Sequence, residues 1–534
     1  MNNNAPAILR VLIFYAFCCL LAIVVGYAAM LLVNSSDYSD LGLLGVLALV
    51  LGAPILLRWH HPLLVLCWNL PLIAFFLPGR PTVFLPMLAV SLGISLLQRA
   101  MDRKKRFIPA PQITLPLLCL AAVVVVTAKI MGGIGLHALG SPVMGGRKYI
   151  ILLAGILGFF ALTARRIPPR HAVLYVGMFL LGGGVSIIGD LVAFIPSSFY
   201  FIFLIFPFDG YALGNSSGTL RFAGASALSS TIFSFMLARY GVHGIFRAGK
   251  PWRLAVFILF TILGLFGGFR SVLMYCALLF MIQFYMEGLH RTRLLPVLAF
   301  AALLAALVCL PMAGRLPYTF QRALSFLPVN IDPAVQADAQ GSLQWRFDMW
   351  RALLPQVSDH LLLGKGYAIT QDEYQMMGRD SSFRSIDPAG QALALSSDYH
   401  SGPLSVILPF GIWGAIAFLW FLIAGVWALH HNRLYGDPEM RGINNFLFAM
   451  FLTKVIVFFF IFGALSDDIV VMTGLLGLSV SLNGGICRPD KKPATTTAGL
   501  PAHNTLTSSC SPSLEPSISP VRTSGGRPRL SFFN

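Results

Sequence analysis

The sequence predicts an all-α polytopic membrane protein of about 12–14 transmembrane helices with one large helical loop on its outer side. Three observations predict it. Of 534 residues, 57% are hydrophobic and only 11% charged, with a mean hydropathy of +0.76, values that belong to chains dissolved in lipid. Apolar runs long enough to cross a hydrocarbon core recur from "VLIFYAFCCLLAIVVGYAAMLLV" near the start to "IVVMTGLLGLSVSL" near residue 480. Basic residues are plentiful between some runs and sparse between the next, which is how loops sort across a membrane. In lipid every backbone amide must be bonded internally, so the runs read as helices. No alternating barrel pattern competes with that reading.

Fourteen spans are expected, at 9–33, 41–57, 62–78, 81–98, 113–131, 149–163, 171–189, 222–238, 254–266, 271–286, 294–312, 403–429, 444–463 and 469–486. The first is too long for a secretory signal, lacks a small-residue cleavage site, and is read as helix one. With the N-terminus cytoplasmic, the inner segments include "RWHH" at 58–61, "QRAMDRKKR" at 98–106, "ARRIPPRH" at 164–171 and stretches around 238–253, 290–293 and 430–441. Together with Arg10 they carry eighteen Lys and Arg, against six on the short outer segments: Arg80, Lys129, Arg147, Lys148, Arg221 and Arg270. That bias puts both termini in the cytoplasm. The segment 191–212, "LVAFIPSSFYFIFLIFPFDGYA", is aromatic and interrupted by Pro196 and Pro207. It is read as a re-entrant or interfacial piece on the outer face, because a full span there would invert every loop downstream.

The chain therefore divides into an N-terminal transmembrane bundle (1–312), a large outer loop (313–402), C-terminal transmembrane helices (403–486) and a cytoplasmic tail (487–534). The tail is rich in Ser, Thr and Pro and is expected to be disordered. The loop holds nine acids and seven bases in a chain of net charge +17, and it is too long for a mere connector. Within it "SLQWRFDMWRALLPQVSDHLLLG" spaces Trp345, Met349, Leu353 and Val357 at helical intervals, with Gly364 as a stop.

Several chemistries are not indicated. The positive charge has no soluble basic domain to carry it, so no nucleic acid is expected as a partner; its distribution reads as topology. Eight cysteines form no CxxC or Cys/His cluster, so neither a zinc site nor a disulfide framework is indicated, and no metal or cofactor is expected. "GKG" at 364–366 lacks the spacing of a nucleotide loop, and no GxSxG marks a serine hydrolase.

Ionisable residues at membrane depth are costly and point to function. On the outer half these are Arg147, Lys148, Arg221, Arg270, Asp467 and Asp468. Small residues flank Arg221 in "GTLRFAGAS" and Arg270 in "GGFRS", which would let a bulky ligand approach. Guanidinium groups grip phosphate oxygens in a bidentate manner, so two of them converging would hold a diphosphate. The plainer alternative is that each snorkels to the interface or pairs with an acid such as Asp467. Lys454 and Asp190 also fall within apolar runs, as a proton relay if the protein is a pump, or more ordinarily as a buried pair or a snorkelling lysine.

Of eleven histidines, only His137, His360 and His400 lie outside. Only His400, in "DYHSGPL", adjoins the start of a helix among residues that could orient an imidazole. It could take a proton from a hydroxyl nucleophile, with Asp398 raising its basicity. The alternative is a plain helix start, in which Ser401 caps and Pro403 opens the helix.

Taken in order, these motifs resemble the O-antigen ligase and O-antigen polymerase (Wzy-type) superfamily of integral membrane glycan ligases and polymerases. The similarity is best over residues 342–425. "SLQWRFDMWRALLPQVSDHLLLGKGYA" is similar to the family's loop stretch, in which an Arg and a Trp precede a Gly-x-Gly. "YHSGPLSVILPFGIWGAIAFL" is similar to its His-to-helix stretch with a Gly-x-x-Gly, and "GTLRFAGASALSSTIFSFMLA" and "GGFRSVLMYCALLF" to its two arginine-bearing helices. The resemblance implies a metal-independent glycosyltransferase of surface polysaccharide biosynthesis, multi-pass in a bacterial inner (plasma) membrane, with the large loop in the periplasm. It implies that Arg221 and Arg270 bind the diphosphate of a polyprenyl-diphosphate-linked glycan donor, such as an undecaprenyl one, and stabilise its departure. His400 would activate the hydroxyl of a glycan or lipid acceptor, with Asp398 orienting the ring. Arg147 and Arg346 are further candidate substrate contacts; the alternative for Arg346 is a structural place on an amphipathic helix. A reading from another class is a transporter or flippase for lipid-linked sugars or another anionic solute. The long outer loop ending in His400 argues against it, since transporters concentrate function at mid-membrane in broken or repeated helices and no internal repeat is visible.

Overall fold

A computed structural model describes residues 38–75, 77, 80–102, 106–132, 143–144, 146–208, 221–367, 369–370 and 399–489. The expected first span, His137, Asp398 and the tail from residue 490 lie outside the described residues. The chain divides into units Met1–Arg488 and Pro489–Asn534, and the fold described is that of the first.

The protein is an all-α polytopic membrane protein. Its helices are α1 (Tyr38–Cys67), α2 (Phe84–Met101), α3 (Pro111–Met131), α4 (Gly146–Thr163), α5 (Ala172–Leu181), α6 (Ile187–Val192), α7 (Ala223–Ile245), α8 (Pro251–Gly264) and α9 (Arg270–Met286), then α10 (Leu294–Met312), α11 (Tyr318–Leu324), α12 (Pro333–Asp359), α13 (Gly402–Tyr435), α14 (Arg441–Phe460) and α15 (Leu465–Asn483). Among the described residues eight helical stretches are long and apolar enough to cross a membrane, and the apolar α8 and α9 are shorter. Prolines stand in the first turn of α3, α8, α12 and α13, where the missing N–H costs nothing. A two-residue antiparallel pair, Val143–Met144 (β1) with Ile369–Thr370 (β2), is the sheet content among the described residues.

The centre is tight because glycines remove side chains where helices cross. A Cβ on Gly155 would press on Val470, and one on Gly477 on Leu162, so α4 and α15 run close together. Trp68 inserts at the same seam over Gly158 and Gly474, and its indole N–H donates to the Val470 carbonyl at 2.9 Å. By contrast α10 has no buried residue, as suits a helix bathed in lipid.

Two segments test the expected topology. The sequence reading puts a turn at "RWHH", but the chain stays helical through 58–61 as part of α1, and residues 68–75 of the expected 62–78 span are irregular. Burial explains the difference. His60 Nδ1 lies 3.0 Å from Ser91 Oγ and His61 Nε2 lies 2.9 Å from the Leu162 carbonyl, so the pair is packed into the bundle rather than displayed on a turn. The segment after α6 forms a 3₁₀ turn over Ser197–Leu204 and then comes back. A Cβ on Gly189 would strike the Pro207 carbonyl, and the Ile73 N–H donates to the Ile205 carbonyl at 2.9 Å. The described part thus folds back on the bundle, and it exposes Phe194, Phe199, Tyr200 and Phe201, rings suited to an interface.

Lys454 and Asp190 do not pair with each other. Lys454 Nζ is 3.6 Å from Asp468 Oδ1, whereas Asp190 accepts the Ala225 N–H at 2.8 Å in the first turn of α7. Asp190 answers one of the orphan amides of that helix start.

After α10 the chain forms a helical cap of α11 and α12. Met349 and Leu353 of α12 are buried with Tyr399, Leu404 and Leu408, and Trp345 and Val357 pack against the same cluster. The helical spacing read in "WRFDMWRALLPQV" is therefore the face that seats α12 on the start of α13. A second attachment follows from a break in α13. Pro409 has no N–H to give, and Gly411 takes φ 62°, ψ −160°, a conformation that essentially only glycine reaches. The groups freed there are bonded by the cap. Lys365 N–H donates to the Leu408 carbonyl at 2.7 Å and Gly366 N–H to the Pro409 carbonyl at 2.9 Å, while Ile412 N–H donates to the Leu361 carbonyl at 2.7 Å. Gly364 and Gly366 adopt φ of 72° and 71°. "GKG" is thus a backbone clasp that keeps a membrane helix free of orphaned polar groups. Tyr367 closes it by donating its N–H to the Tyr149 hydroxyl at 2.7 Å. Burial pushes the Tyr367 phenol well above its ordinary range, with Tyr399, Tyr149 and Asp467 adding to the shift, so the ring is a neutral anchor.

Candidate active site

The start of α7, the α8–α9 turn, the cap, the start of α13 and the α14–α15 turn meet around a cavity of about 520 Å³. Its lining contains Arg221, Arg270, Arg346 and His400. Four residues singled out in the sequence, from four separate segments, therefore face one space.

Each is placed by local structure. After Gly264 a short 3₁₀ turn ends at Gly268, whose φ of 63° reverses the chain into Phe269 and the first residue of α9, Arg270. Arg221 reaches across to this turn, donating Nε–H to the Gly267 carbonyl at 3.2 Å with its guanidinium carbon 4.2 Å from the centre of the Phe269 ring. A hydrogen bond on one edge and an aromatic face below fix the plane of the group. Arg270 donates from Nη2 to the Ala339 carbonyl of α12 at 3.2 Å, which ties the bundle to the cap.

Of the small residues around these arginines, Ser271 lines the cavity, and several others serve close packing. Gly267 packs on Ser226, Gly264 on Ser229 and Gly224 on Ser186. The Ser226 hydroxyl donates to the Gly264 carbonyl at 2.9 Å and that of Ser229 to the Phe260 carbonyl at 2.6 Å. They bring α7 against α8 so closely that Arg221 meets the α8–α9 turn.

His400 is one of two non-glycine residues with positive φ among the described residues, at 46°, a region that histidine visits more readily than most residues. Its ring centroid lies 5.4 Å from Trp345 on the cap and 4.9 Å from Phe462 in the α14–α15 turn. The adjacent residues hold it there. Tyr399 is buried and its carbonyl accepts the Trp350 indole N–H at 2.8 Å. Gly402 and Gly463 lie against Phe458, and Leu465 N–H donates to the Ser405 hydroxyl at 3.0 Å. Ser401 occupies the N-cap position without a side-chain cap bond, and Pro403 sits in the first turn.

Arg322, on α11, also lines the cavity and was not singled out by sequence. It is salt-bridged to Asp338 on α12 and donates to the Gly268 carbonyl at 3.2 Å. Nothing local in "YTFQRAL" marks it, because its partners lie on two other elements. Among the described residues the lining thus holds four arginines and no carboxylate, with Asp338 behind Arg322. Arg147 is not among the lining residues; it is exposed in the first turn of α4. Asp398 lies outside the described residues. No group of three or more His, Cys, Asp or Glu suited to a metal ion occurs among the described residues.

Chemically, the cavity pairs cationic forks suited to an oxyanion with one imidazole able to exchange a proton, between rings that would face a sugar or an isoprenoid. Residues 254–419, from the start of α8 to the middle of α13, match the family model for O-antigen ligase. Among curated proteins no match is found.

Proposed function

Because residues 254–419 match the family model for O-antigen ligase, we propose that the chain is a member of the O-antigen ligase/polymerase family and that its arginine-lined cavity moves a glycan from a polyprenyl-diphosphate carrier to a hydroxyl acceptor. An O-antigen ligase-like role in surface polysaccharide biosynthesis comes with the family. The observation that carries the finer reading is the convergence of Arg221, Arg270, Arg346 and His400 on one cavity.

In this reading His400 takes the proton of the acceptor hydroxyl as its oxygen attacks the anomeric carbon of the donor. The bond from that carbon to the diphosphate oxygen breaks, and the diphosphate departs with the electron pair. Arg221 and Arg270 meet the charge that develops on it, as preorganised cations whose orientation is set before the reaction. Arg346 and Arg322 add to the field, and no metal ion enters the scheme. Trp345 and Phe462 keep the imidazole in place, and Asp398 would orient it. Arg147 is reserved for the outer part of the glycan. The cavity would open to the periplasm with both termini in the cytoplasm and the chain in a bacterial inner membrane, consistent with the basic bias of the opposite loops.

The test is transfer by purified protein from a polyprenyl-diphosphate glycan, followed by the mass of the product. His400→Ala should lose transfer while still binding donor; full transfer by that variant would reject the base. Movement of the carrier across a vesicle without a new glycosidic bond would reject the enzyme in favour of a flippase.

A further inference from the structure

A second cavity, of about 530 Å³, takes no part in the proposed reaction. Among the described residues Arg58, Arg99, Arg106, Arg165 and Arg166 line it, and no carboxylate does. They come from the middle of α1, the end of α2 with the loop beyond it, and the loop after α4. Sorting of basic residues to one side of a membrane accounts for their presence at this end. It does not account for five cations gathered round one hollow, since spreading them would cost less Coulomb repulsion.

The hollow has built walls. His60, buried and 3.0 Å from Ser91, lies at its base beside Ser95. The Arg99 guanidinium sits 5.4 Å from the centre of the Phe107 ring, another lining residue. The Arg165 carbonyl accepts from the Ser481 hydroxyl, and Ile167 N–H donates to the Ser481 carbonyl at 3.0 Å, so α15 anchors the loop that carries Arg165 and Arg166.

We infer that this cavity binds a phosphate-bearing anion, and its surroundings favour the headgroup of an anionic phospholipid as the source. Five guanidinium groups concentrate the positive charge that holds a phosphate, and basic pockets between membrane helices suit lipid headgroups. The neighbouring Leu57, Trp59, Leu96, Leu97 and Met101 are exposed. They form an apolar border for acyl chains, with an indole at the depth where headgroups lie. A soluble phosphate would use the arginines but not this border. The inference does not depend on the reaction proposed above.

The test uses full-length protein, purified in detergent, stripped of lipid, and titrated in native mass spectrometry with diphosphatidylglycerol, with phosphatidylcholine of matched chains and, separately, with inorganic phosphate. The two-phosphate lipid should bind at least about tenfold more tightly than phosphatidylcholine, and Arg99→Gln with Arg165→Gln should weaken it about tenfold. Arg291→Gln with Arg441→Gln, exposed arginines outside the lining, should change it less than about twofold. Equal losses in both pairs would mean diffuse attraction and overturn the site. Inorganic phosphate bound without preference for the anionic lipid would overturn the lipid source, and binding of neither would overturn the cavity as a site. Should the double variant fail to fold, Arg106→Gln, on the exposed loop, should show the same direction of change; unaltered lipid binding there would count against the inference.

Discussion

The two arginine-lined cavities are nearly equal in volume, about 520 and 530 Å³, and differ in how they hold their cations. At the candidate active site Arg221 is clamped by a carbonyl and a ring, Arg270 by a carbonyl of the cap, and Arg322 by Asp338 and the α8–α9 turn. In the second cavity the five arginines are exposed. A group that meets charge developing at one atom must already point there, whereas a headgroup that is only held needs density of charge. The contrast separates aim from accumulation.

The largest effect expected is at the imidazole. His400→Ala should lower transfer by about 10²–10⁴-fold with donor binding kept, as measured by product formation and donor titration. Next come the clamped arginines: Arg221→Lys and Arg270→Lys should each cost about 10²–10³-fold in transfer although charge is conserved. Arg99→Lys in the other cavity should change lipid binding less than about twofold. Equal sensitivity to lysine in the two places would erase the distinction. A smaller effect is expected for the cap. Gly411→Ala forces a side chain into a conformation reserved for glycine and should destabilise the protein by about 1–3 kcal/mol, read as a fall in thermal midpoint. Arg322→Gln leaves Asp338 half-buried without its cation and should cost about 1–3 kcal/mol by the same measurement. The smallest is at Arg147, where Arg147→Ala should alter transfer by less than about twofold.

The periodic features were legible in the sequence. The run 294–312 is one helix with those same ends, because nothing packs on it to compete with its hydropathy. Trp345, Met349, Leu353 and Val357 are read correctly as one face, since their spacing is a local property. Relations between distant segments were not legible. "RWHH" looks like a turn until Ser91 and the Leu162 carbonyl are beside it. Ser226, Ser229, Gly264 and Gly267 near Arg221 and Arg270 set the approach of α7 to α8, which their own neighbourhood does not announce, while Ser271 faces the cavity. Arg322 carries no signal in its own neighbourhood, and a search for arginines with acids one or two helical segments away would have offered it only among many.

The break in α13 has a consequence for exchanging parts between relatives. Residues 361–366 complete the hydrogen bonding of residues 408–412, so the cap is an organ of the membrane helix and not a lid laid over it. A foreign cap grafted with seams at 360 and 402 would arrive with the wrong register and leave bare amides where water is scarce. Seams placed after residue 367 would keep the joint intact and let the remainder of the loop vary, which makes that remainder the natural place for specificity to drift.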